Sequence, residues 1–187
     1  MKLLATATLI TVTLTTVTLI SLLLSTTVFS QDVFAQEKNH LKGIRVYDIG
    51  EAPNFKLNDI DGKPFELKQT RGKWVFLHFW ASWCGPCKIE MPTIEKLIHE
   101  IKSDEFKVVM VNAAEDDDTI FTFLGEIGIE STSLMDTDGE ITDKYKPRGL
   151  PTTFLIDPTG RIRYQAIGGR EWDKKEYIEF IKALING

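Results

Sequence analysis

The chain has little cysteine: among its 187 residues only Cys84 and Cys87 carry thiols. Two cysteines cannot build a disulfide framework, and they cannot fill a four-cysteine zinc site. Histidine is as scarce, since His40, His78 and His99 are scattered and offer no second pair of metal ligands. Basic excess is missing too, with 22 Lys and Arg against 27 Asp and Glu and a formal charge of −5. Nothing is left over to neutralise a phosphate backbone, which argues against nucleic acid as a partner. No internal repeat occurs, and no low-complexity segment beyond the N-terminus. The remaining 43% hydrophobic and 26% charged residues are those of a soluble globular chain, and the length suits one domain.

One long apolar run is present, at the start. Between Lys2 and Asp32 there is no charge, and the stretch is rich in Leu, Ile, Val and Thr. Its alternating threonines give no amphipathic face, so it does not read as a helix of the folded domain. It reads as an export signal or a membrane anchor. Val33-Phe34-Ala35 offers a cleavage site after Ala35, whereas Leu3 to Leu24 at about 1.5 Å per residue would span roughly 30 Å. No cysteine follows the run, so a lipidated terminus is not available. Both readings place the domain outside the cytoplasm, periplasmic or on the outer face of the membrane. The expected organisation is residues 1–35 as signal or anchor, 36–50 as a polar tether, and 51–187 as the folded domain.

Past the tether, strands and helices alternate. Phe55, Leu57 and then Phe65, Leu67 flank an Asp61-Gly62 turn, which predicts a β-hairpin. Trp74 to Trp80 is a nearly unbroken apolar run of strand length, as expected for a central strand covered on both faces. Ile94, Leu97, Ile98 and Ile101 follow at helical spacing, then Val108 to Val111 as a second buried strand. Thr119 to Ile127 reads as a helix, Leu134-Met135 as a short segment before an Asp138-Gly139 turn, and Thr153 to Ile156 as a strand. A turn at Asp157-Pro158-Thr159-Gly160 leads to a strand over Ile162 to Ile167, and a last helix buries Ile178, Ile181, Leu184 and Ile185. The order is β-hairpin, βαβα, ββα, an α/β fold with a central mixed sheet flanked by helices.

The chemistry gathers at Trp83-Cys84-Gly85-Pro86-Cys87. Two cysteines separated by two residues, at the end of a buried strand and on the first turn of a helix, bring both sulfurs to disulfide distance. The helix N-terminus lowers a thiol pKa from about 8.5 toward about 7 in such places, and the thiolate is the attacking species. Cys84 is thus the candidate nucleophile, and Cys87, a turn further in, the resolving thiol. Pro86 suits a first helical turn, where its missing N–H has no partner to lose. Half of a zinc site and an inert structural disulfide are the competing readings of the same spacing.

Phe79-Trp80-Ala81-Ser82-Trp83-Cys84-Gly85-Pro86-Cys87-Lys88 closely resembles the active-site run of thioredoxins, and Glu90-Met91-Pro92 matches the extracytoplasmic TlpA/ResA-like branch. The resemblance extends from about Ala52 to Gly187, and includes the leading hairpin and a helical insertion at Thr119 to Ile127. It also takes in Gly149-Leu150-Pro151-Thr152-Thr153-Phe154-Leu155-Ile156. It implies a thioredoxin-like fold with Pro151 in the cis form beside the sulfurs. Leu150 would then offer its backbone to an extended client segment, as in β-strand addition. Trp83, Gly85, Pro86, Leu150 and Pro151 are the implied substrate-binding residues, and Trp80 and Trp83 resemble the family's tryptophan pair. Trp74 and Trp172 read as packing residues. The cytoplasmic proteins carry a buried Asp six residues before the first cysteine, where this chain has His78. Glu90, three residues after Cys87 on the same helix face, is the candidate acid/base that the resemblance offers. His78 also reads as a histidine satisfied within its strand, and Glu90 as an ordinary surface carboxylate.

Glu115-Asp116-Asp117-Asp118 lacks the glycine and terminal glutamate of a calcium loop and reads as capping and solvation. Asp136 to Gly139 reads as a turn. The expected activity is protein-disulfide reduction through the dithiol, with no cofactor and no metal. Gly85-Pro86 matches thioredoxin, a reductant near about −270 mV, and not oxidants near about −120 mV. The expected partners are client proteins with disulfides and a membrane thiol reductant, and the protein is expected to be a monomer. A dedicated cytochrome c maturation factor, acting on an apocytochrome c with its CxxCH site, is the alternative. A thiol peroxidase is the weaker one, because Ala81-Ser82-Trp83 precede Cys84 where a Pro-x-x-x-Thr-x-x-Cys setting would be needed.

Overall fold

The computed structural model describes residue 41 and residues 43–187. The apolar run 3–24 and the choice between cleavage and anchoring lie outside the described residues. Among those described, no helix is long and apolar enough to cross a membrane.

The sheet is organised around β4 (Trp74–Trp80), the apolar run noted in the sequence, which is paired on both sides. On one side lie β5 (Phe106–Ala113) and then β6 (Ser133–Asp136), both parallel to it. On the other lie β7 (Thr152–Ile156), β8 (Arg161–Ile167) and β1 (Ile44–Glu51), each antiparallel to its neighbour. The spatial order is β1-β8-β7-β4-β5-β6, and a separate hairpin of β2 (Lys56–Asn58) and β3 (Pro64–Glu66) precedes β4. Among the described residues there are also four α-helices, α1 (Gly85–Ile101), α2 (Asp117–Ile127), α3 (Glu140–Tyr145) and α4 (Lys175–Asn186), and a 3-10 turn over Leu67–Thr70.

Alternation along β4 sends its side chains to two cores, which is why the run is apolar at nearly every position. Val75, Leu77 and Phe79 pack with Val109, Val111 and Phe154, and with Phe55 and Leu67 from the hairpin segment and Ile141 and Tyr145 of α3. Phe76 faces the opposite way, among Ile94 and Leu97 of α1, Trp172, and Phe180 and Ile181 of α4. A third cluster closes the end of the sheet where β4 meets α1. It joins Trp80, Cys84, Cys87 and Met91 to Ile120, Phe123 and Leu124 of α2.

The structure corrects the expected tether over residues 36–50. Residues 44–50 are not a linker but belong to β1, which pairs with β8 from Ile44 opposite Ala166 to Glu51 opposite Arg161. Only Ile44 of this edge strand is buried, and the pairing shifts register between Val46 and Gly50, where Gly50 has a φ of +102°. With one buried position and a bulge, no hydrophobic alternation remains to be read. The Leu134-Met135 segment is likewise a full strand, all four residues of β6 being buried. α3 was not expected from the sequence; it is held by the carboxylate of Asp136, which accepts the N–H groups of Ile141 and Thr142 at 2.9 and 2.7 Å.

Because Phe76 is fully buried with its ring edge-on to Trp172 at 4.6 Å, Phe76→Ala should lower stability by roughly 3–5 kcal/mol, read from the urea unfolding midpoint.

Candidate active site

At the end of β4 the chain makes a three-residue loop and enters α1 with Cys84 as the cap. The backbone of Cys84 is extended, and its sulfur accepts the Cys87 N–H at 3.2 Å, in the manner of a capping oxygen. Gly85 and Pro86 fill the first two helical positions, and the two cysteines are joined by a disulfide with Cα atoms 5.2 Å apart. Cys87 is wholly buried and Cys84 nearly so. The apolar residues around them are not: Trp83 is 72% and Ile89 75% exposed, and Gly85 and Pro86 lie at the surface. The disulfide therefore sits just under an apolar rim.

Two loops complete that rim. The Leu150–Pro151 peptide is cis, and Leu150 packs against the cluster containing both cysteines. The Pro151 carbonyl accepts the N–H of Gly168, which ties this loop to the one after β8. At Gly169 a Cβ would stand 3.1 Å from Cβ and 3.2 Å from the carbonyl oxygen of Pro86, so any larger residue there would have to push the head of α1 away by a few tenths of an ångström. Trp83, Gly85, Pro86, Leu150 and Pro151 are thus brought to one end of the sheet with the cysteines. Among the described residues no cluster of His, Cys, Asp and Glu is placed to hold a metal ion.

This arrangement can be set beside known proteins. The AhpC/TSA family model matches residues 50–165. The thiol-disulfide oxidoreductase ResA of Bacillus subtilis is 39% identical over 117 residues, 63% of this chain and 65% of that one. ResA of Bacillus thuringiensis is 37% identical over 134 residues, 72% of this chain and 76% of the relative. The chain belongs to the AhpC/TSA family, as a ResA-like thiol-disulfide oxidoreductase. The crystal structure assigned to a thiol:disulfide interchange protein DsbE from Chlorobium tepidum superposes with a TM-score of 0.68 at 33% identity, over 75% of this chain and 99% of that one.

This ResA-like protein buries two ionisable side chains on the elements that meet at the cysteines, Glu90 one turn after Cys87 on α1 and His78 on β4. Glu90 is 2% exposed, and its Oε1 accepts the indole N–H of Trp172, while its Oε2 has no hydrogen-bond partner among the described residues. Burial pushes its carboxyl from the ordinary 4.5 up to about 8, against the opposing pull of the Trp172 hydrogen bond and the Arg170 charge. It is not a surface carboxylate. His78 is fully buried; its Nδ1 lies 3.0 Å from Thr153 Oγ1, and its Nε2 has no partner among the described residues. Burial drives its pKa down from 6.5 to about 3, so the ring is neutral at any physiological pH.

Three residues matter here that the sequence reading passed over or placed elsewhere. Trp172, read as packing, is also the donor to Glu90. Arg170 lays its guanidinium 5.2 Å from the Trp172 ring and donates to the carbonyls of Gly43, Ile167 and Gly168. Glu115, grouped with the capping acids, hydrogen-bonds to Ser82 in the loop before Cys84. Trp172 lies 82 positions from Glu90 and Glu115 stands 33 positions from Ser82 in a run of like residues, so neither announces itself by spacing; Arg170 meets mostly near neighbours, through backbone carbonyls that leave no residue pattern.

The carboxyl of Glu90 takes up its proton more tightly in the folded chain than in the unfolded one. Its contribution is therefore fully present below about pH 4.5 and is lost as pH rises through about 8. Glu90→Gln keeps an acceptor for Trp172 without that dependence. Its Tm relative to the parent should rise as pH goes from 4.5 to 8, as followed by thermal unfolding across that range.

Proposed function

We propose that the protein is an exported reductase of protein disulfides, in which Cys84 attacks and Cys87 resolves. The observation that carries this reading is the asymmetry of the two sulfurs. Cys84 stands at the head of α1 with its sulfur already accepting an amide N–H, and Cys87 is enclosed one turn inside. A thiolate at Cys84 would keep that bond and gain the helix-end potential.

In the exchange, the Cys84 thiolate attacks one sulfur of a client disulfide. The client S–S bond breaks, a mixed disulfide forms, and the departing client thiolate takes a proton. Cys87 gives up its proton and attacks the Cys84 sulfur, so that the second client thiolate leaves and the Cys84–Cys87 disulfide forms. Two electrons and two protons pass from the dithiol to the client. Glu90, with its carboxyl raised toward about 8, is suited to exchange the proton of Cys87. The rim of Trp83, Gly85, Pro86, Leu150 and Pro151 receives the client, with the Leu150 backbone pairing to an extended segment.

The charge-free run between Lys2 and Asp32 supports export or anchoring, and a membrane thiol reductant then restores the dithiol. Clients are either many disulfide proteins or one dedicated apocytochrome c. Ala81-Ser82-Trp83 before Cys84 speak against a thiol peroxidase.

With resolution removed and the nucleophile intact, Cys87→Ser should accumulate mixed disulfides with clients that dithiothreitol releases, and Cys84→Ser should accumulate far fewer. Mass spectrometry of the attached proteins separates a broad client range from a single c-type cytochrome. Adducts on Cys84→Ser alone would reverse the two roles, and adducts on neither would remove protein-disulfide exchange as the function.

A further inference from the structure

Glu115 follows β5 and immediately precedes the acids that serve α2. Asp116 caps that helix, accepting the Thr119 N–H at 2.9 Å, and Asp117 and Asp118 occupy its first turn. Glu115 does something else. Its Oε2 accepts the backbone N–H of Ser82 and the side-chain amide of Asn112, each at 2.7 Å, and its Oε1 accepts the Ser82 hydroxyl. Asn112 is fully buried at the β5 position opposite Trp80, so the clamp is anchored on the sheet itself. The residue before Glu115, Ala114, has a φ of +59°, a conformation that alanine rarely adopts. The chain accepts this local strain where it turns from β5 to present the carboxylate.

What the clamp holds is the short link between β4 and α1. Ala81 is buried, Ser82 is half-buried and bonded twice to Glu115, and the next two residues are the exposed Trp83 and the capping Cys84. A groove of about 550 Å³ runs beside this link, bounded by Ser82 and Lys88 on one side and by Thr119, Thr122 and Phe123 of α2 on the other. The place of Ser82 therefore sets both the edge of the groove and the stance of Trp83.

We propose that Glu115 is a positioning residue for client docking, fixing Ser82 so that Trp83 and Cys84 are already in place when a client segment arrives. This rests on the reading that Cys84 meets a protein client. The carboxylate does not act through its charge, since a negative group near Cys84 works against a thiolate there. It acts through geometry, and that separates two substitutions. Glu115→Gln can keep every contact: its amide oxygen takes the Ser82 N–H and the Asn112 amide, and its NH2 donates to the Ser82 hydroxyl, which accepts as readily as it donates. Glu115→Ala loses all of them, and the link must then be ordered anew at each docking event.

The test is steady-state reduction of insulin by the intact chain with dithiothreitol as the recycling reductant and its uncatalysed rate subtracted, with Tm measured on each variant. Glu115→Ala should raise KM about ten-fold with a smaller change in kcat, the entropic cost of ordering roughly one freed residue. Glu115→Gln should stay within about two-fold of the parent, since its contacts persist. Asp116→Ala, which removes the cap of the neighbouring helix, should lower Tm while KM stays within about two-fold. An unchanged KM in Glu115→Ala overturns the proposal, as does an equal rise in Asp116→Ala or a Glu115→Gln as impaired as the alanine. Should Glu115→Ala fail to fold, Ser82→Ala, which keeps the amide bond and loses the hydroxyl, is expected to raise KM about three-fold, and no rise overturns the proposal. If the parent does not reduce insulin, the same comparison is made on a disulfide-bonded CxxCH peptide of an apocytochrome c, and a parent that reduces neither overturns the preceding reading instead.

Discussion

The sulfur of Cys84 is placed by how the helix it caps is packed against the sheet that delivers it. Here the constraint is the junction of β4 and α1, with Cys84 as the cap. β4 is paired on both sides, and its alternate side chains enter two separate cores. α1 is pressed on the sheet through Ile94 and Leu97, and it is fully buried at Cys87. The loops that form the rim, at Leu150–Pro151 and Gly168–Gly169, come from strands β7 and β8 in the same sheet. Rigidity at the sulfurs is thus a property of the whole layer.

The same burial creates the electrostatics. An Asp or Glu at the surface would ionise near its ordinary value, but Glu90 is enclosed against Trp172 and holds its proton to about pH 8. His78, on β4, is driven in the opposite direction by the same loss of water, and its ring nitrogen toward Thr153 stays hydrogen-bonded. Arg170 offsets part of the cost to Glu90 without forming an ion pair with it, since its guanidinium is spent on three backbone carbonyls and the Trp172 ring. One buried acid and one buried base are therefore both neutral near pH 7, on opposite sides of the values they have in water.

The hairpin, the central strand, the helix carrying the cysteines and the two C-terminal strands were all legible, because their apolar periodicity is strong and their turns carry Asp-Gly or Asp-Pro-Thr-Gly. β1 was not, since an edge strand with a bulge and one buried residue has no period to detect. α3 was hidden for another reason. Six residues are too few for a helical pattern, and its start depends on a carboxylate, Asp136, that belongs to the preceding strand.

By itself the sequence determined the chemistry: two cysteines at CxxC spacing behind an apolar strand, a proline suited to the first turn, and no other thiols to compete. Those are local facts, and local spacing on a strand and a helix is enough to place them. Only the tertiary structure decided the partners of Glu90, His78 and Ser82. Trp172 reaches Glu90 across 82 positions, Thr153 reaches His78 across 75, and Glu115 reaches Ser82 across 33. Such contacts arise from how strands are ordered in the sheet and which loops that order brings together. A hydrogen bond between side chains so far apart leaves no periodic trace along the chain, so its partners become visible only once the chain has folded.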